Sequence, residues 1–200
     1  DLTTPDETAV TRSMTVTLSA ASTKTVTVDF ATADGTATAA NDYISASGTL
    51  TFNPGITSQT VSVTIVQDTI DEAHETFDVV LSNATNASIS DATGVMTVTD
   101  DEATPSLSIA DASTTDETAA NLTATVTLSG QSSSTVTVDY ATSNGTASAG
   151  ADYTTSSGTL TFNPGDTSQT FNIPILADTI DENNETFSVT LSSPTNATIN

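Results

Sequence analysis

Val26-Thr27-Val28-Asp29-Phe30 alternates apolar and polar side chains, and the same five positions return as Val136-Thr137-Val138-Asp139-Tyr140. Successive side chains of a strand point to opposite faces, so the pattern reads as a strand with the valines and Phe30 inward and Asp29 toward water. Sliding the chain on itself by about 110 residues aligns residues 1–90 with 111–200 without a gap, at roughly 60% identity, which is a tandem duplication.

On either side of Val26 the same alternation recurs in short runs separated by turn residues, and helical spacing is absent. Thr15-Val16-Thr17-Leu18 puts Val16 and Leu18 inward. Gly48-Thr49-Leu50-Thr51-Phe52 runs into Asn53-Pro54-Gly55, where proline presets φ and glycine tolerates its positive range, so a tight turn follows. Val61 to Ile65, Phe77 to Leu81 and Val95 to Val98 complete the set, with a short first strand before Glu7. The fold class expected is all-β, with two tandem immunoglobulin-like, seven-stranded antiparallel β-sandwiches occupying residues 1–103 and 104–200. The start of the first strand of copy one and the last strand of copy two are expected to be missing.

Lettering the strands A to G, alternating direction puts loops A–B, C–D and E–F and the exit of strand G at one end. Acids gather there. Glu7 falls in A–B, Asp42 in C–D, Asp68-Thr69-Ile70-Asp71-Glu72-Ala73-His74-Glu75 in E–F, and Asp100-Asp101 just past strand G. The opposite loops, residues 20–24, 53–58 and 84–93, hold one carboxylate, Asp91. Two carboxylates about 4 Å apart repel by about 4 kcal/mol at an effective dielectric near 20, so such crowding calls for a cation. Oxygen ligands suit Ca²⁺, which takes six to eight of them.

The composition narrows the choices. A net charge of −23, with Arg12 and Lys24 the only Lys or Arg residues, excludes a nucleic-acid binder, whose affinity rests on cations meeting phosphates. It also disfavours anionic membrane surfaces, and no apolar run is long enough to insert in a bilayer. With no cysteine there is no thiolate metal site, disulfide or thiol nucleophile. His74 has Asn184 as its counterpart, so a catalytic constellation shared by both copies is not available. Glycoside hydrolysis by paired carboxylates needs one of them in an apolar setting beside a sugar cleft, and aromatics are only 4% of the chain. Phe30, Phe52, Phe77 and Tyr43 read as strand or core-edge residues, and Asp34-Gly35 reads as a turn. The chain is not expected to be an enzyme.

Several linked motifs resemble the Calx-beta domain: residues 28–37, Asn41-Asp42-Tyr43, residues 48–55, Asp68 with Asp71-Glu72 and Glu75-Thr76-Phe77, and Val98-Thr99-Asp100-Asp101, matched in copy two from Val138 to Phe187. The resemblance implies a sandwich that binds Ca²⁺ at one tip. By position it implies Glu7, Asp42, Asp68, Glu72, Glu75, Asp100 and Asp101 as ligands, with Asp71 beside them. In copy two the set is Glu117, Asp152, Asp178, Glu182 and Glu185, with Asp181 beside them. Gln67 stands where some members carry another acid, and copy two, without the closing acid pair, is expected to bind more weakly.

Three functions are compatible with these features. One is a Ca²⁺-stiffened structural repeat of a large secreted or cell-surface protein such as an adhesin, with calcium and neighbouring repeats as partners. Another is a Ca²⁺ sensor acting on a neighbouring module, as in sodium–calcium exchangers. The third is an accessory module of a polysaccharide-active enzyme, binding glycan, or another protein, directly. In the first, Asp100-Asp101-Glu102-Ala103-Thr104-Pro105 is both ligand segment and linker, so ion binding is expected to stiffen the joint.

Overall fold

A computed structural model describes residues 2–3, 11–114, 120–178 and 183–200. The expected ligands Glu7, Glu117, Asp181 and Glu182 lie outside the described residues. Every regular element among the described residues is a strand. In the first repeat these are β1 (Leu2–Thr3), β2 (Arg12–Thr17), β3 (Val26–Asp34), β4 (Tyr43–Ile44), β5 (Ser47–Phe52), β6 (Ser58–Ile65), β7 (Ile70–Asp71), β8 (Glu75–Thr85) and β9 (Thr93–Val98). The second repeat carries β10 (Ser106–Ile109), β11 (Asn121–Leu128), β12 (Gln131–Ser132), β13 (Val136–Asn144), β14 (Ser157–Phe162), β15 (Ser168–Pro174), β16 (Phe187–Thr195) and β17 (Thr198–Ile199).

The chain divides into two units, Asp1–Asp68 with Ala73–Asp101, and Thr69–Glu72 with Glu102–Asn200. In the first, one sheet runs β1-β9-β8-β3-β5 and the other β2-β6-β4. Alternation puts Val26, Val28, Leu50, Phe52, Val61, Val63 and Ile65 between the sheets, all 8% exposed or less. Val16 and Leu18 pack against that core, half-buried. Tyr43 is more central than its sequence position implied, because it is 1% exposed and stacks on Phe77 with ring centroids 4.0 Å apart. Its hydroxyl donates to Asp34 Oδ1 at 2.5 Å, and the Ala39 amide donates to the same oxygen at 2.9 Å. Asp34 is thus the polar anchor that lets a tyrosine sit in an apolar core. Burial first, and the bond to Asp34 second, push the Tyr43 hydroxyl up to about 12.

Gly35 follows for a different reason from turn geometry. A Cβ there would meet the Thr76 carbonyl oxygen at 2.3 Å, the oxygen to which the Ala37 amide donates at 2.9 Å, so the turn lies directly on β8. Asp29 sits on the outer face but is not a bare charge, for it accepts from Thr49 Oγ1 at 2.6 Å and Asn83 Nδ2 at 3.1 Å. Those two bonds, the Thr49 bond first, hold its carboxyl below the ordinary aspartate value.

The second unit repeats the plan. One sheet runs β15-β11-β10-β17 and the other β14-β13-β16, around Val126, Val136, Val138, Tyr153, Phe162 and Ile173. Tyr153 stacks on Phe187, and Asn144 stands where Asp34 stands, accepting from the Tyr153 hydroxyl at 2.8 Å. Thr69–Glu72 counts with this unit because Ile70–Asp71 pairs in parallel with Gln131–Ser132.

Candidate functional site

The site begins with a turn. Asp42 N–H bonds the Thr38 carbonyl at 3.1 Å, and Asp42 Oδ2 accepts from the Thr38 amide at 2.6 Å and the Thr38 hydroxyl at 3.1 Å. A short acceptor side chain that closes its own turn is the reason aspartate suits this place. Behind it Tyr43 is locked in the core, and the Val66 amide donates to the Asp42 carbonyl at 2.9 Å, tying the turn to the chain leaving β6. Asp42 is therefore held at 8% exposure with a fixed carboxylate. A carboxylate has about four lone-pair positions, and the two bonds from Thr38 leave room for a further ligand.

The loop entering β8 supplies the neighbours. Ligand oxygens of Asp42, Glu72 and Glu75 lie within 4.8 Å of one another. Glu75 is positioned by sheet pairing, since it opens β8 and faces Val98 of β9. At that separation and an effective dielectric near 20, each pair repels by about 3.5 kcal/mol. The arrangement is one that a hard divalent cation would relieve.

The other acids fall into three groups. Asp68 and Asp100 are half-buried, while Asp101 is exposed. The Asp100 amide donates to His74 Nδ1 at 3.2 Å, so the chain leaving β9 meets the acidic loop before β8. Asp71 turns elsewhere: its Oδ2 accepts from Ser132 Oγ at 3.1 Å, and its carbonyl from the Ser133 amide at 3.0 Å, inside the second unit. Hydrogen bonding to a buried serine gives Asp71 a structural role distinct from the three converging carboxylates.

In the second repeat Asp152 Oδ2 accepts from the Ser148 amide at 2.6 Å, which is the Asp42 turn again. Asp178 and Glu185 are exposed, and among the described residues the Asp42 group is the one place where three metal-ligating side chains converge. All three of its members were legible as acids on one pole. The bond from Asp100 to His74 was not, because a lone histidine carries no sequence signal for its partner.

Curated relatives similar to this chain include sodium–calcium exchangers. Sodium/calcium exchanger 1 of Canis lupus familiaris is 45% identical over 74 residues, 37% of this chain and 8% of that protein. The Mus musculus protein is 52% identical over 59 residues, 30% of this chain and 6% of its own length. The chain thus spans under a tenth of these relatives. Among solved structures, the calcium binding domain CBD12 of CALX1.1 aligns with a TM-score of 0.50 at 22% identity, covering 96% of this chain and 76% of that one. That likeness supports the tandem β-sandwich fold. The family description "Calx-beta domain" matches residues 3–102 and again 99–200. With both repeats matched almost end to end, the chain belongs to the Calx-beta domain family.

Proposed function

We propose that this chain is a non-catalytic Ca²⁺-binding module whose principal site is the pole of the first repeat carrying Asp42, Glu72 and Glu75. The convergence of those three carboxylates, one of them fixed in a buried turn, carries the reading. Their chemistry fits the ion: all donors are hard oxygens, and no thiolate is available to favour a softer metal. Three residues fall short of six to eight oxygens, so Asp68, Asp100 and Asp101 are the next ligands to test, with Asp71 kept to its bond with Ser132. Bound Ca²⁺ would neutralise the repulsion that otherwise loosens the loop before β8. Isothermal titration calorimetry tests this directly. Ca²⁺ should bind far more tightly than Mg²⁺, which demands near-octahedral geometry and keeps its waters. Glu72→Gln should weaken Ca²⁺ tenfold or more and Asp29→Asn less than twofold. Equal losses for the two variants would mean diffuse charge attraction with no defined site.

Two biological settings follow from the same site. As a structural repeat of a secreted or cell-surface protein, the module would use the ion to stiffen the stretch from Asp100 to Pro105. Small-angle scattering would then show a narrower spread of dimensions in Ca²⁺ than in chelator, and no change with both repeats folded would sink that reading. As a regulatory sensor, it would act like the exchanger relatives it matches at 45% identity. Affinity separates the two, since extracellular modules lie near 10⁻⁴–10⁻³ M and sensors near 10⁻⁷–10⁻⁵ M.

A further inference from the structure

One pair of residues in the second repeat is chemically labile and structurally confined at once. Asn144-Gly145 is the one Asn-Gly pair of the chain. In such a pair the glycine nitrogen can attack the asparagine side-chain carbonyl carbon, because no Cβ crowds that nitrogen and the backbone bends freely. Glycine has its own reason to be there, since a Cβ at position 145 would run into the Thr186 carbonyl oxygen, which accepts from the Ala147 amide at 2.9 Å. Both residues of the pair are exposed, so water reaches them. What the fold withholds is freedom of the carboxamide. Asn144 Oδ1 accepts from the Tyr153 hydroxyl at 2.8 Å and from the Ala149 amide at 3.0 Å, and the Gly145 amide donates to the Ala147 carbonyl at 3.3 Å. A backbone N–H can only donate, so the atom facing Ala149 is the oxygen. Tyr153 is 0% exposed and stacked on Phe187, so its hydroxyl cannot follow a rotating side chain.

We propose that Asn144 is a latent deamidation site, held closed in the folded repeat by the Tyr153 hydroxyl and the Ala149 amide. In the reaction the Gly145 nitrogen bonds to Asn144 Cγ, the Cγ–Nδ2 bond breaks, and Nδ2 leaves as ammonia with the proton lost from the Gly145 nitrogen. Water then opens the cyclic imide. Addition at Cγ leaves aspartate, and addition at the backbone carbonyl carbon leaves isoaspartate, whose main chain runs through Cβ. The first repeat shows that aspartate fits this cradle, for Asp34 accepts from the Tyr43 hydroxyl at 2.5 Å and the Ala39 amide at 2.9 Å. Isoaspartate does not fit, because the lengthened backbone shifts Gly145 off Thr186 and takes the carboxylate away from Tyr153. Ring closure requires the carboxamide to leave both donors, so release of this clamp, and not unfolding of the whole repeat, sets the rate.

The test follows mass gain and isoaspartate content at Asn144 by peptide mapping of the full 200-residue chain at neutral pH. Folded wild type should deamidate about tenfold more slowly, or slower still, than the same chain in urea. Tyr153→Phe removes one donor and should raise the folded rate about fivefold. Val138→Ala weakens the buried core without touching the clamp and should change the rate less than about twofold. A second readout needs no variant: across sub-denaturing urea the wild-type rate should rise in step with hydrogen exchange of the Ala149 amide. Equal rates in the folded and urea-unfolded chain would overturn the proposal. So would a gain from Val138→Ala as large as that from Tyr153→Phe, or a wild-type rate that tracks global unfolding and not the Ala149 amide.

Discussion

Asp42 and Asp152 close the same turn with the same backbone-amide bonds, the Thr38 hydroxyl adding one more at Asp42, yet the carboxylates around them are arranged differently. Beside Asp42 the side chains of Glu72 and Glu75 converge, whereas Asp178 and Glu185 are exposed and Glu182 lies outside the described residues. The turn is copied because its chemistry is local: an aspartate four residues after Ser or Thr accepts the amide it needs. Convergence is not local. Glu75 is inside the ladder because β9 pairs with β8 from Val98 to Thr93, while β16 begins only at Phe187 and leaves Glu185 outside it. In the first repeat the pairing of Glu75 with Val98 fixes one of these acids beside the Asp42 turn.

Calcium should separate the two repeats. In calorimetry the transition of the first repeat should rise with Ca²⁺ and that of the second much less. At one hundred times Kd, ligand linkage contributes about 2.7 kcal/mol, which for a domain near 100 residues raises Tm by roughly 10–20 °C. Equal stability of the first repeat in chelator and in millimolar Ca²⁺ would remove the metal reading, and equal gains in both repeats would remove the asymmetry.

The fold and the acidic pole were legible because both rest on short-range pattern. Period-two alternation marks the inward residues, and strand direction sends alternate loops to one end, so Asp42, Glu72 and Glu75 could be grouped before any distance was known. What stayed hidden depends on partners remote in sequence. Asp34 looked like half of an Asp-Gly turn, but its oxygen serves a tyrosine nine residues on. Gly35 looked like a residue wanted for its backbone freedom, but it is needed because Thr76 lies against it. Asp71 looked like one more acid in a run, until Ser132 took its carboxylate.

Asp34 and Asn144 give the next sharpest contrast, one charged and one neutral acceptor for the same buried tyrosine. Tyr43→Phe should cost about 1.5–3 kcal/mol and Tyr153→Phe about 1 kcal/mol by urea unfolding, since bonds to charged groups are the stronger. The pH dependence has a definite sign. The Tyr43 hydroxyl is raised above its ordinary value of 10.0 to about 12, so the fold favours the neutral form. Its contribution is complete below pH 10 and is lost as pH rises through about 12. Tyr43→Phe should flatten that alkaline decline in the first repeat, and an unchanged slope would show that another group causes it.

The smallest effect concerns one residue in the turn beneath the proposed ion site. Ala40 has φ of 78°, and its counterpart Gly150 has φ of 90°. Both amides donate to the carbonyl of the tyrosine three residues on, Ala40 to Tyr43 at 2.7 Å and Gly150 to Tyr153 at 2.8 Å. The backbone path is therefore set by that bond and by the buried ring, and the residue must accept a left-handed φ whatever its side chain. For glycine this costs nothing sterically, whereas alanine crowds its Cβ against the carbonyl oxygen, by about 1 kcal/mol. Glycine loses more freedom on folding, which offsets part of the gain. Ala40→Gly should therefore stabilise the first repeat by a few tenths to about 1 kcal/mol, and Gly150→Ala should destabilise the second by a similar amount. The substitution touches no carboxylate, so Ca²⁺ affinity should stay within twofold. A stabilised turn with a large change in affinity would show that strain at Ala40, and not the convergence of Asp42, Glu72 and Glu75 alone, sets the geometry of the site.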